Sequence, residues 1–567
     1  MTARADLHVH SKHSNQPSEW ILRHFRAPES YTEPLEIYRL CRERGMDFVT
    51  ISDHDSVDGA LEIAHLPGTF LSCEVTAEFP EDGCEIHCLA IGITEEQHRD
   101  IQRLRRDVYA LRDYLHERGI LHSVAHPLFR VNDRLTLDHL EKLLVLFNRF
   151  EGINGIHDRR ANDLVRRILG ALTRGVIESL SERHRLEPAG EAPWIKTFTG
   201  GSDDHGGFYI GTTFTRTPAA ATVEEYLGHI RDGRHEPGGD NGSSLRLVQS
   251  LYSIAWEYYR RQFPALLGNR KDPFAELLRN LARGPADRAT FTAAGRAHRE
   301  SLSSLSRDFL RQLQRGRVGE SLSALSHLAP LALSVAPYLV SLHAQHKDAD
   351  LLELAALRFL GRRPEAERPG RTAWFADVTA GLDGAVGTIG LLSTLARGQG
   401  NELVVLTCGG GEDLVGLPVR SFEPLLQIPL SDWELLTFNV PPLLEMLDLC
   451  ERERYSEILI STPGPIGLAG LAAGKLLGIR LTGLCLTGFP LHVRRLTGSP
   501  ALEDLAWLYM RWFFGQMDRV YVASSREREL LAERGCDPAR VELLPPAREA
   551  EIFDPVDSPA LVLESTL

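Results

Sequence analysis

The chain has 567 residues, of which 43% are apolar, 25% charged and 7% aromatic, and its formal charge is −14. At roughly 100–200 residues per domain, that length holds about three to five domains, or fewer large ones. The acidic balance argues against a general nucleic-acid or membrane-surface binder, since both need a basic face.

Arg4 and Asp6 precede any apolar run, so no signal peptide is expected. The longest apolar stretch, 328–342, contains Pro330 and Pro337 and falls short of the ~20 residues that span a bilayer. Eight cysteines with no Cys-x-x-Cys pair point to a reduced, cytoplasmic protein. Of 22 histidines, 17 lie in residues 1–245, where even scatter would place about nine or ten. Histidine is the commonest metal ligand among side chains, so a metal centre is the first suspect.

In chain order, residues 1–244 alternate β-branched runs with helical patterns. Strands are expected over 47–52, 85–91 and 121–125, and helices over 101–118 and 135–150. This alternation predicts βα units around a mostly parallel sheet. The run 236–244 reads as a loop and linker. From 245 to 368 the pattern is helical throughout, with helices expected over 247–263, 273–282, 286–315, 319–346 and 349–361. From 369 to 567 alternation resumes, with strands expected over 372–376, 403–407, 458–461, 481–485 and 519–523, as in a Rossmann-like sheet.

The first part opens with Asp6-Leu-His-Val-His10. In a strand, positions i and i+2 face one side, so His8 and His10 can hold one ion together. Ligand-type residues recur where apolar runs end: Asp53-His54-Asp55, Glu74, His87, His126 and Asp203-Asp204-His205. In a barrel of parallel strands such ends converge on one face.

This series, with Ala125-His126-Pro127 and Ser202-Asp203-Asp204-His205, resembles the PHP (polymerase and histidinol phosphatase) domain over essentially all of residues 1–215. The resemblance implies a distorted (β/α)7 barrel holding two or three divalent ions, manganese, iron or zinc, for phosphoester hydrolysis. It implies that His8, His10, Glu74 and Asp203 hold a first ion, and that Glu74 bridges to a second held by His87 and His126. It also implies that His54 and His205 belong to a third site. Family members often place a further His or Asp after the first pair; here Asn15 stands where an Asp is common, and His13 is the candidate substitute. A metal-activated hydroxide would attack the phosphoryl group. Asp55, Asp204 and His157 are candidate acids for the leaving group. Arg130, Arg159 and Arg160 are candidate phosphate clamps, although arginines so placed are more often solvated or ion-paired.

In the last part, glycines 381, 384 and 387 follow a strand and precede a helical run. With Ser461-Thr-Pro-Gly-Pro-Ile-Gly-Leu468, Thr487-Gly-Phe-Pro490 and the 507–512 segment, residues 371–555 resemble the acceptor-side Rossmann half of retaining GT-B glycosyltransferases of family 4. That family's His-Thr-Asp-Phe-Pro reads Leu486-Thr-Gly-Phe-Pro490 here, and its Arg-Gly-Val-Asp reads Pro546-Ala-Arg-Glu549. Glycosyl transfer by this chain alone is therefore not expected, and a partner chain could supply the other half. The leading expectation is a metal-dependent phosphoesterase acting on a phosphorylated small molecule, glycan or glycolipid. Alternatives are a non-catalytic, metal-stabilised scaffold that recruits partners, and a glycosyltransferase subunit completed by another chain.

Overall fold

The computed structural model describes residues 2–14, 28–262, 337–361, 371–377, 402–410, 418–429, 437–485 and 488–544. The described residues fall into two compact units, one comprising 2–262 with 337–361 and the other 371–544. The glycine run 381–387, residues 486, 487 and 546–549, Asn15, and the helices expected over 273–282 and 286–315 lie outside the described residues.

The first unit is built on a five-stranded sheet in the order β2-β3-β4-β5-β6. These strands are β2 Ser72–Phe79, β3 Cys84–Ile91, β4 Leu121–Val124, β5 Arg149–Asn154 and β6 Thr197–Gly201. The expectation of a mostly parallel sheet needs correction. β2 and β3, and β3 and β4, pair antiparallel; β4–β5 and β5–β6 are parallel. The turn at Asp82-Gly83 makes β2 and β3 a hairpin, whereas the later strands are separated by helices. Segment 47–52, expected as a strand, forms an isolated bridge from Val49 to Thr69 and not a continuous ladder.

Two bridging segments complete the sheet. Asp203 N donates to His8 O (2.6 Å), Ser52 N to Val9 O (2.9 Å) and Glu74 N to Ser52 O (3.2 Å). Segments around His8 and Ser52 therefore join the end of β6 to the start of β2, closing a circuit of backbone bonds. Beside it, β1 Thr2–Ala5, β7 Thr213–Pro218 and β8 Glu236–Gly239 form an antiparallel sheet in the order β1-β7-β8. Residues 236–239 are thus a strand, not the start of a linker. Gly239 fits because its φ of +97° sets the backbone against Thr212 O, where a Cβ would come within 2.1 Å.

Helices pack on the outside of the circuit, and their ends follow local chemistry. The helix expected over 101–118 is two, Glu95–Leu104 and Val108–Glu117. Asp107 separates them by capping the second, accepting from Tyr109 N and Ala110 N. The helix expected over 135–150 runs Leu137–Leu146 and gives way to β5. Fully buried Val75, Phe79, Leu111, Leu143 and Phe150 knit sheet and helices into one core, each worth about 1.5–3 kcal/mol of burial. Leu351, Ala355 and Ala356 of helix Ala349–Leu360 join that same core. The described residues of the expected helical middle part, 245–262 and 337–361, therefore pack as part of the first unit.

The second unit is a seven-stranded, wholly parallel sheet in the order β11-β10-β9-β14-β15-β16-β17. It comprises β9 Arg371–Phe375, β10 Glu402–Cys408, β11 Val419–Phe422, β14 Glu457–Ile460, β15 Arg480–Cys485, β16 Arg519–Val522 and β17 Val541–Leu543, with a hairpin of β12 Leu426–Pro429 and β13 Thr437–Val440 apart from it. The order reverses between β9 and β14, as expected of a Rossmann-like sheet. All eight cysteines are free and buried. Among the described residues, no helix is long and apolar enough to cross a membrane.

Candidate metal centre

Val9 bridges Asp204 in an extended segment, so His8 and His10 turn to the same side, their ring centroids 5.1 Å apart. Asp203 faces them across the seam. The approach needs glycine at 201, where a Cβ would fall 2.3 Å from His8 Cβ. Glu74, third residue of β2, reaches in from the other side. Glu74 Oε2 lies 3.1 Å from His8 Nε2 and 3.2 Å from His10 Nε2, and Asp203 Oδ1 lies 3.3 and 3.2 Å from the same two nitrogens.

The second oxygen of Glu74 serves a different pair. Its Oε1 is 2.9 Å from His87 Nδ1 and 3.2 Å from His126 Nε2. His87 sits in the middle of β3, not at the end of a run, and faces the site because β3 runs antiparallel to β2, opposite Thr76. A third group surrounds His54, whose Nδ1 is 3.1 Å from Glu74 Oε2. His54 Nε2 is 3.2 Å from Glu29 Oε2, His205 Nε2 is 3.8 Å from Glu29 Oε1, and the His10 and His205 rings stack at 4.1 Å. All of these residues are buried except His205, whose side chain is 11% exposed, and four of their atoms, His8 Nε2, His10 Nε2, Glu74 Oε2 and His205 Nε2, make no well-aligned hydrogen bond. Buried polar atoms are almost always paired. Four such atoms converging from different segments make a donor set suited to cations.

Supporting groups hold these side chains in place. Glu151 Oε1 meets His8 Nδ1 at 3.1 Å, which turns Nε2 toward Glu74 and Asp203. Glu151 Oε2 accepts from His126 N (3.0 Å) and Asn154 Nδ2 (2.9 Å), and Asn154 Nδ2 also donates to Asp203 Oδ2 (2.9 Å). His10 Nδ1 meets Ser14 Oγ at 3.0 Å, and Ser14 in turn donates to Asp53. Among the described residues, Asp55, His126 and Asp203 are motif residues with positive φ, at 53°, 27° and 51°. Such conformations cluster where the surrounding structure fixes a side chain for function.

Sequence reasoning overlooked Glu29, Glu151 and Asn154. Glu151 leaves a signal, an acid inside the apolar strand Arg149–Asn154. Glu29 lies in no motif and is brought in by its backbone bond to Ser14 O.

Several expected residues are placed elsewhere. His13 Nε2 contacts Glu62 Oε1 at 2.7 Å and lies outside the donor cluster, where Glu29 meets His54. Asp204 accepts from Tyr209 N and Gly207 N, and Asp55 from Thr76 N (3.0 Å) beside Arg105 (3.4 Å), so both carboxylates hold backbone. His157 does line the cavity, next to His126 and Phe129. Burial and the neighbouring His126 push it down to about 3, which favours the neutral ring.

None of the three arginines lines the cavity. Arg130 grips Asp350 at 2.6 and 2.8 Å, Arg160 binds Asp158 and His346, and Arg159 is exposed beside Asp163. Arg130→Ala is expected to lower the thermal midpoint by the equivalent of about 1 kcal/mol, with hydrolysis unchanged. A large loss of activity in a folded variant would return Arg130 to the phosphate.

Charge in the cluster is mutually sustained. Against burial, Asp203, Glu74 and Glu151 hold His8 well above the usual imidazole range, and Glu74 with Glu29 raises His54 to about 10. Reciprocally, despite burial, the rings hold Glu74 and Asp203 well below the carboxylate range and draw Glu29 to about 2. Burial lowers His87, and burial with His10 lowers His205 to about 4.

In the second unit the order reversal places Asp377 after β9 beside Thr462 after β14, with Thr462 Oγ1 donating to Asp377 at 2.7 Å. Burial raises Asp377 to about 6. Tyr509 OH donates to Pro463 O at 2.5 Å, and the exposed Trp512 ring lies tilted beside Tyr509, centroids 5.9 Å apart.

Residues 383–551 match the model of Glycosyltransferase Family 4. The uncharacterized protein MJ1587 of Methanocaldococcus jannaschii is 34% identical over 67 residues, 12% of this chain and 37% of that protein. The chain thus matches little more than a third of that relative's length. Among solved structures, Anabaena Alr3699/HepE in complex with UDP-glucose is 15% identical over 31% of this chain and 43% of its own, with a TM-score of 0.23. A protein assigned as a UDP-N-acetylglucosamine 2-epimerase from Listeria monocytogenes is 10% identical over 31% and 44%, with a TM-score of 0.23. One assigned as a metal-dependent phosphoesterase from Bifidobacterium adolescentis is 16% identical over 35% and 87%, with a TM-score of 0.20.

Proposed function

We propose that residues 1–244 form a PHP-type, metal-dependent phosphoesterase, with the closed backbone circuit as its distorted seven-stranded barrel. The observation that carries this reading is the convergence of five imidazoles, those of His8, His10, His54, His87 and His126, on the buried carboxylate of Glu74. His8, His10, Glu74 and Asp203 would hold one ion, and Glu74, His87 and His126 a second. His54 and His205, with Glu29 in place of the expected His13, would hold a third. Mixed imidazole and carboxylate sets suit manganese, iron or zinc alike. Bound ions of this kind lower the pKa of water and offset charge on phosphoryl oxygens.

The chain's own residues supply orientation. Glu151 fixes the tautomer and direction of His8, Asn154 steadies Asp203, and Phe129 with His157 bounds the cavity next to His126. No lysine or arginine is among the described residues lining that cavity, so cations and histidines carry the charge complementarity. The family 4 match over 383–551 supports a saccharide-bearing substrate, and we propose a phosphorylated sugar or glycolipid head group.

The test measures bound metal and hydrolysis of p-nitrophenyl phosphate for the wild type, His10→Ala and Asp203→Ala. Both variants are expected to lose metal and activity; equal activity in all three would sink the proposal. A metal-loaded wild type inert toward monoesters, diesters and nucleotides would favour the scaffold reading.

A further inference from the structure

The cavity above the donor cluster holds about 70 Å³, well below the roughly 300–1,000 Å³ of pockets that enclose drug-sized ligands. Its far wall comes from outside the motif set. Leu247, Ser250, Leu251 and Ile254, spaced as one face of helix Ser244–Gln262, look onto the donors together with Ala344 and Gln345. Four of these six are apolar.

This wall is fastened to the rest of the unit. Ser253 Oγ donates to Gly206 O (3.0 Å), directly after His205. Ser341 Oγ donates to Ser244 O (2.6 Å), joining the two helical segments to each other. Gln345 Nε2 donates to Ile156 O (2.6 Å) while its Oε1 accepts from Asp158 N (3.1 Å), and His346 meets Arg160 at 2.9 Å. With every one of these bonds in place, the cavity stays small against a phosphoryl group that carries two ester substituents.

A phosphomonoester has one substituent to lead out of such a cavity. A diester has two, and the second meets the volume filled by Leu251 and Ile254, which are 8% and 3% exposed. The geometry points to helix Ser244–Gln262 as the element that selects phosphomonoesters over phosphodiesters at this site. The inference rests on the phosphoesterase reading and adds the ester class to it. Leu251 and Ile254 act by exclusion and take no part in the chemistry.

The experiment uses the full chain loaded with manganese and compares p-nitrophenyl phosphate with bis(p-nitrophenyl) phosphate. The wild type is expected to prefer the monoester by about a hundredfold, the scale at which shape alone discriminates. The Leu251→Ala/Ile254→Ala variant is expected to narrow that preference by about tenfold. In a parallel binding measurement, inorganic phosphate should raise the thermal midpoint of both proteins, and diphenyl phosphate only that of the double variant. Should the double variant fail to fold, Leu247→Ala at a half-buried position serves the same comparison. Equal use of both esters by the wild type, or an unchanged preference in the folded variants, overturns the inference while leaving the phosphoesterase reading intact. No hydrolysis of either ester, with no response to inorganic phosphate, overturns the phosphoesterase reading itself.

Discussion

Glu74→Gln is expected to abolish hydrolysis and strip metal from the protein. One buried carboxylate here faces five imidazoles: His8, His10 and His54 on Oε2, His87 and His126 on Oε1. The amide keeps the shape and one oxygen but loses the negative charge and offers NH2 where a lone pair is needed. A drop of about a thousandfold or more follows, the scale lost with a preorganised charge-stabilising group. Metal-free protein should suffer too. The positive character of His8 and His54 depends partly on Glu74, and breaking a buried charge cluster from one side costs about 3–5 kcal/mol. Metal analysis and a melting curve of each form separate the two effects. A Glu74→Gln protein with full metal content and near-normal turnover would refute the bridging role.

Glu151→Gln is the second large effect, and it differs in kind. Glu151 lies behind His8, one residue removed from the donor atoms, and also accepts from His126 N and Asn154 Nδ2. Substitution should leave the donor set complete but release His8 from its fixed orientation. Metal affinity is expected to weaken by about 10–100-fold, typical of losing the carboxylate behind a ligating histidine. At saturating metal most of the activity should return, which Glu74→Gln cannot match. Titration of activity against manganese distinguishes them: a shifted midpoint with a recovered plateau supports the positioning role, and a lost plateau contradicts it.

The contrast between these residues shows what the sequence made visible. His8, His10, His54, Glu74, His87, His126, Asp203 and His205 stand out because ligand-type residues interrupt apolar runs, and the structure brings all eight together. Glu151 interrupts such a run as well, but one acid in a strand has no spacing partner to mark it. Glu29 was illegible, because its approach depends on a backbone bond to Ser14 and not on any periodicity. His13, nearer in sequence to the first pair, turns instead to Glu62.

The arginines were misplaced for a related reason. Proximity to a ligand in sequence says nothing about a competing carboxylate such as Asp350, 220 positions from Arg130. Strand direction was only half legible, since a run of β-branched residues looks alike in either direction, and the β2–β3 hairpin went unseen. In the C-terminal part the regular strand–helix alternation made the parallel sheet readable, and its order agrees with that reading.

The seam at Asp203 has a consequence for how the first unit assembles. Ser202 Oγ donates to His8 O across 194 positions of chain, and the proposed first ion takes ligands from both sides of the same seam. Bringing together ends so distant carries a loop-closure cost that grows only slowly with length, and the proposed ion, held by residues on both sides, would act as a clasp on the finished circuit. Ion binding and completion of the fold are then coupled: a chelator should free the N-terminal segment first, so that residues 2–10 exchange their amide protons while the core around Phe150 stays protected.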